Sequence, residues 1–135
     1  MPIAEEHKLD NPEEVMLRQV HPNFVQEGRP ASRAFRPNSD DSGLFSSDRS
    51  AIVTPQQAYE AYQHKDRATG GCWGVTIDEY SALNLDSYSD PLVDNGAHAL
   101  VDFTPHEERL WRSLSKRIHK AAQDRGCLFT ADDPA

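Results

Sequence analysis

The sequence is poor in the residues that build disulfide, metal and membrane scaffolds. Its 135 residues hold 2 cysteines, Cys72 and Cys127, too few for a disulfide framework or a four-cysteine zinc site. No apolar run approaches the roughly 20 residues that carry a helix across a bilayer, which excludes a membrane-spanning helix. Positive charge is scarce as well: 14 Lys+Arg stand against 22 Asp+Glu, a net charge of −8. A nucleic-acid binder needs a basic face to neutralise phosphates and release counterions, so this balance argues against nucleic acid as a partner. The longest basic cluster, Lys116-Arg117 with His119-Lys120, falls inside an expected amphipathic helix. The acidic residues are scattered and read as a solvated surface. Residues 1–6 lack the basic start and apolar middle of a signal peptide. The reading is a cytoplasmic protein whose two thiols stay reduced.

What is present suffices for one small core. Hydrophobic residues make up 37%, below the roughly 45–50% of an average globular domain, a figure that also counts glycine. Residues 1–12 are polar, carry Pro2 and Pro12, and are expected to form a flexible arm. Glu14 to Val20 reads as a first strand, ended at His21-Pro22 because a residue before proline leaves helical geometry. Between 22 and 50, Asn38 to Gly43 is a loop by composition, and 31–35 and 44–47 are expected short strands. Thr54-Pro55-Gln56-Gln57 is a helix start with threonine as cap, proline at the first position and glutamine completing a capping box.

Cys72 to Ile77 reads as a strand and Asp78 to Leu83 as a short helix capped by Thr76 or Asp78. Residues 86–96 are expected to be a polar loop, and Ala97 to Phe103 a strand. Thr104-Pro105-His106-Glu107 repeats the cap pattern. It predicts a long helix over 105–125 with Leu110, Leu114, Ile118 and Ala121 facing inward and Gly126 as the stop. Residues 127–129 are placed back at the sheet. The expectation is an α+β fold: a small mixed or antiparallel sheet against a long C-terminal helix and one or two shorter ones, in a single domain over 13–129 with a frayed acidic tail at 130–135.

Six histidines raise the question of a metal. No pair sits at i, i+4 in one helix and no Cys-x-x-Cys occurs, so no metal site is predicted. No cofactor is predicted either, since Thr69-Gly70-Gly71-Cys72-Trp73-Gly74 lacks both the P-loop lysine and the dinucleotide fingerprint spacing. Arg18 and His21 flank the end of the first strand, and His98 lies in the strand before the long helix. If those strands are neighbours, the histidines share acid–base work and the arginine holds an anion. Arg29, Arg33 and Arg36, with Phe35 interleaved, form a second candidate, a loop-built anion pocket.

Leu17 to Pro22, with Gly28 to Pro37 (GRPASRAFRP), resembles the opening of a group of small bacterial proteins with no established activity. Asn95 to Val101 (NGAHALV), ahead of a terminal helix, is similar to their second signature. The resemblance spans about residues 15–125. It implies a bacterial cytosolic setting and a compact domain, and adds no catalytic residues. The leading functional expectation is an accessory protein that binds a protein partner, in a setting such as a defence or toxin–antitoxin system, through loops at 22–50 and 86–96. The alternative is an enzyme on nucleotide or nucleic-acid phosphates that uses Arg18, His21 and His98.

Overall fold

A computed structural model describes residues 4–38 and 42–131. It contains strands β1 (Val15–Gln19), β2 (Val25–Gln26), β3 (Arg29–Pro30), β4 (Leu44–Arg49), β5 (Cys72–Thr76), β6 (Asp86–Ser89) and β7 (His98–Asp102). The helices are α1 (Pro55–His64), α2 (Ile77–Ser81) and α3 (Glu108–Arg125), with short 3₁₀ turns at Glu5–His7, Pro22–Phe24 and Ser32–Phe35. Five strands form one antiparallel sheet in the order β5-β1-β4-β7-β6, and β2 and β3 make a separate small hairpin. The fold is α+β, as the sequence predicts.

Strand alternation gives the sheet two unlike faces. On one, Met16, Val20, Phe45, Trp73, Val75, Ala99 and Val101 pack against Trp111, Ile118 and Ala122 of α3 and against Ala34 and Phe35 of the 3₁₀ turn. The other face has a smaller cluster of Leu17, Ala58 and Cys72, with Val15, Val53, Leu128 and Phe129 against it. There α1 packs on β1 and β5. The C-terminal stretch joins it through Leu128 N–H donating to Cys72 O at 2.8 Å and a bridge from Phe129 to Cys72. That close approach is made room for by Gly74, since a Cβ there would clash with Val15 Cγ1 and lie 2.7 Å from Leu128 Cδ1. This cover leaves part of β4 and β7 open on the α1 side.

The strands pair unevenly. β1 pairs with β5 along its whole length, from Val15↔Thr76 to Gln19↔Cys72. With β4 it pairs at Met16↔Arg49 and Leu17↔Asp48. Ser50 N–H donates to Val15 O at 3.1 Å on one side of these pairs, and past Leu17, on the other side, β1 and β4 diverge.

Both short-helix caps follow the sequence. Thr54 with Gln57 and Thr76 with Glu79 form complete capping boxes. The long helix differs. It begins at Glu108, because Thr104 turns back: its amide and hydroxyl both donate to Asp102 Oδ1, at 2.9 and 2.6 Å. Its buried face is Trp111, Ser115, Ile118 and Ala122, while Leu110 is exposed and Leu114 partly buried. The larger apolar surface of Trp111 takes the inward position, and its Nε1–H donates to Phe103 O and His106 O at 3.3 and 3.2 Å.

Two further corrections concern strands. The expected strand at 31–35 is the 3₁₀ turn Ser32–Phe35. The expected loop at 86–96 contains β6, whose Ser87 and Tyr88 are both buried; the polar sequence Asp86-Ser87-Tyr88-Ser89 hides a strand enclosed on both faces. Of the expected arm, Lys8 bridges to Tyr88 and Leu9 N–H donates to Ser87 O at 2.8 Å, along the edge of β6. Residues 1–3, 39–41 and 132–135, parts of the expected arm, loop and tail, lie outside the described residues.

Candidate active site

Where α1 stops short of β4 and β7, a cleft of about 320 Å³ opens on the sheet. Its floor is made by Arg18 and Gln19 of β1, Ser46, Ser47 and Asp48 of β4, and His98 of β7. Register explains the company: Asp48 pairs with His98 across β4 and β7, and Ser46 lies two residues on along the same face. Its walls include Tyr62 and Lys65 at the end of α1, Arg67, and Leu92, Asp94 and Asn95 of the loop before β7.

His98 is held from both sides. Its Nδ1 is 3.0 Å from Asp90 Oδ2 and 3.1 Å from Asp90 O, while its Nε2 is 3.3 Å from Ser46 Oγ. Asp90 N–H donates to His98 O at 2.9 Å, so backbone and side chain lock the two residues together. A carboxylate at Nδ1 favours the proton there and leaves Nε2 as an acceptor for a hydroxyl. The imidazole is 16% exposed and Ser46 is exposed. The sequence Asp90, His98, Ser46 is therefore a hydrogen-bonded chain that runs outward into the cleft.

The other charges around the cleft are partly neutralised. Lys65 Nζ lies 3.3 Å from Asp94 Oδ2, and the Asn95 amide donates to Asp48 Oδ1 at 2.8 Å. The Lys65 ammonium, by hydrogen bond and charge, holds the Asp94 carboxyl below its ordinary value. Arg67 reaches over the Tyr62 ring, 5.6 Å from its centroid. Arg18 lies where β1 and β4 diverge. Its Nε donates to Ala34 O at 3.2 Å, its Nη1 donates to Ser46 O at 3.0 Å, and its guanidinium sits 4.2 Å from the Phe45 centroid. It thus anchors the carbonyl of Ser46 while packing against the α3 side of the sheet.

Polar groups lie buried on both faces of the sheet here. Gln19 Nε2 on the α1 side and Ser47 Oγ and Tyr80 Oη on the α3 side make no hydrogen bond of ordinary geometry among the described residues. Burial pushes the Tyr80 phenol well above its usual range, against the opposing charge of Arg18 and the nearby Ser47 hydroxyl.

The predicted residues separate. Arg18 and His98 line this cleft; His21 does not. His21 is exposed and caps the Pro22–Phe24 turn, its Nδ1 accepting from Asn23 N–H at 3.0 Å. Phe35 is fully buried in the core. Arg29 lies on a different groove, with Lys116 and His119, while Arg33 and Arg36 share one with Arg112 of α3.

Asp90, Asp48, Asn95, Lys65 and Arg67 escaped the sequence reading. The signal for Asp90 was an antiparallel β6–β7 pair, which places a residue just after β6 beside the start of β7. With β6 read as loop, that signal was lost. Among the described residues no group of three or more His, Cys, Asp or Glu side chains is arranged to hold a metal. Comparison of the chain with protein-family models, with curated proteins and with solved structures finds no match.

Proposed function

We propose that the chain is a small hydrolase or transferase acting on a phosphate ester of mononucleotide size, with Ser46 as nucleophile. The observation that carries this reading is the Asp90–His98–Ser46 chain opening into a cleft. Nucleophile, base and orienting carboxylate at hydrogen-bonding distance define such a site by geometry, whatever their order in the sequence. His98 Nε2 takes the Ser46 proton as Oγ attacks, and a Ser46–substrate bond forms. The P–O bond to the leaving alcohol breaks as His98 gives it that proton. His98 then takes a proton from a water that attacks the Ser46 phosphoester and returns it to Ser46 Oγ as the Oγ–P bond breaks and phosphate leaves. Asp90 stabilises the imidazolium between the two steps. Lys65 and Arg67, on the cleft wall, favour an anionic substrate. The cleft volume is at the small end of ligand sites, and the net charge of −8 repels a polyanion.

The test is turnover of a panel of nucleoside monophosphates and chromogenic phosphate esters by the intact protein and by Ser46→Ala, His98→Ala and Asp90→Asn. The expected loss is about 10²–10⁴-fold for His98→Ala, the scale of a positioned proton transfer. Turnover by Ser46→Ala at the full rate overturns the assignment.

A second reading, a cytosolic accessory protein that binds a protein partner, has one observation in its favour. Leu92 and Val93 project from the cleft rim, 43% and 111% exposed. That reading expects Val93→Ser to abolish partner capture while leaving turnover untouched.

A further inference from the structure

On the opposite side of the sheet from the cleft, the Ser32–Phe35 turn packs against α3. There Arg33, Arg36 and Arg112 line a groove of about 230 Å³ with Pro37, Trp111 and Glu108. The arginine ion pairs among the described residues are Arg49–Glu14, Arg109–Glu107 and Arg125–Glu79. None of them includes a member of this trio, and Glu108 shares the groove without pairing to any of the three. Arg33 instead donates to Asn38 Oδ1 at 2.9 Å and Arg36 to Ser115 Oγ at 3.2 Å, both neutral acceptors.

We propose that Arg33, Arg36 and Arg112 form a second site that binds a phosphate group. Two of the guanidiniums are pre-oriented by hydrogen bonds to neutral partners that leave their charge uncompensated. The third comes from the second turn of α3. Three planar forks on one groove match the geometry of a tetrahedral oxyanion, which accepts paired N–H donors from each. Their mutual repulsion is visible at Arg36: burial, then the charges of Arg33 and Arg112, push its guanidinium below the ordinary value. A bound dianion removes that repulsion, and Ser115 beneath Arg36 is fully buried on α3, so the groove wall is rigid. The site does not depend on the chemistry of the cleft.

The experiment compares thermal midpoints in inorganic phosphate and in chloride at matched ionic strength, for the intact protein and for Arg112→Gln and Arg33→Gln. A ligand that binds only the folded state raises the midpoint as its concentration passes its dissociation constant. Phosphate is expected to raise the midpoint of the intact protein and chloride to leave it unchanged. Arg112→Gln is expected to lose the phosphate increment while melting no lower than the intact protein without phosphate, because it removes a repelling charge that has no partner. Equal effects of phosphate and chloride overturn the proposal, as does a full phosphate increment in both variants. Adenosine monophosphate is the second arm. In Ser46→Ala, an increment that Arg112→Gln abolishes, at concentrations below those needed for inorganic phosphate, identifies the source as a nucleotide. Equal concentrations identify the free anion, and an increment that Arg112→Gln leaves intact places the nucleotide in the cleft and overturns its assignment to this site.

Discussion

Glu14 is a carboxylate with 3% of its side chain exposed, gripped in parallel by Arg49 Nε and Nη2 at 2.9 and 3.1 Å. Removing one partner of such a pair leaves an uncompensated buried charge, so Arg49→Ala is expected to cost about 3–5 kcal/mol in denaturant unfolding. Glu79 presents a different balance. Desolvation raises its carboxyl, but the Arg125 hydrogen bond and the Thr76 amide outweigh it and hold it below the ordinary carboxylate value. A depressed folded value means that its contribution is complete above the unfolded pKa of about 4.3 and is lost as pH falls through the folded value. Glu79→Gln should therefore flatten the acid limb of the stability profile and leave its slope near neutrality unchanged. The thiols differ in the same way from one another. Burial pushes Cys72 up to about 12, whereas Cys127, though also raised by burial, is exposed. Because the thiolate is the reactive form, mass spectrometry after alkylation at pH 8 should find Cys127 labelled in native protein and Cys72 only after unfolding.

At the scale of elements, the register of α3 is the most informative test. Ile118 is 1% exposed and Leu110 38% exposed. Ile118→Ala is expected to destabilise by about 2–5 kcal/mol, as core truncations do. Leu110→Ala should stay within about 0.5 kcal/mol, as surface changes do. Equal losses would restore the stripe read from leucine spacing alone. That reading missed by one residue for a definable reason. Ser115 belongs to the buried face, but its polarity conceals the 111-115-118-122 periodicity. Its hydroxyl is satisfied locally by donating to Arg112 O at 2.8 Å. Local signals with a closed chemistry transferred well: the Thr54/Gln57 box and Gly126 at φ 91° stand where the sequence puts them. Thr104-Pro105 has the same letters, yet Asp102, two residues earlier, captures the threonine first. Local pattern does not show which of two acceptors wins.

For the whole molecule, the α+β class and strands β1, β5 and β7 were legible, since each carries a dense apolar or aromatic run. Strand order was not. That Arg18 and His98 border one cleft depends on β4 lying between β1 and β7, a pairing of segments more than 20 residues apart in sequence. His21 seemed as well placed as Arg18, but the proline after it bends the chain into a turn, so its ring serves the Asn23 amide instead of the cleft. Phe35, read as part of a binding surface, follows the packing of the Ser32–Phe35 turn into the core.

The narrow contact between β1 and β4 has a mechanical consequence. Two residue pairs, the Val15–Ser50 hydrogen bonds, the Glu14–Arg49 ion pair and the Arg18 side chain join β1 to β4 across the sheet, most of them at one end of β1, whereas β4 and β7 share five pairs along their length. Cooperative units in a protein divide where few contacts cross. The two halves of the sheet are thus expected to be separate opening units, with the cleft bordering the line between them. Native-state hydrogen exchange should show β7 amides opening with the global unfolding free energy, and amides of β1 opening below it. Arg18→Met should widen that gap without altering protection in β7. In that case the cleft is also the line along which the molecule first comes apart.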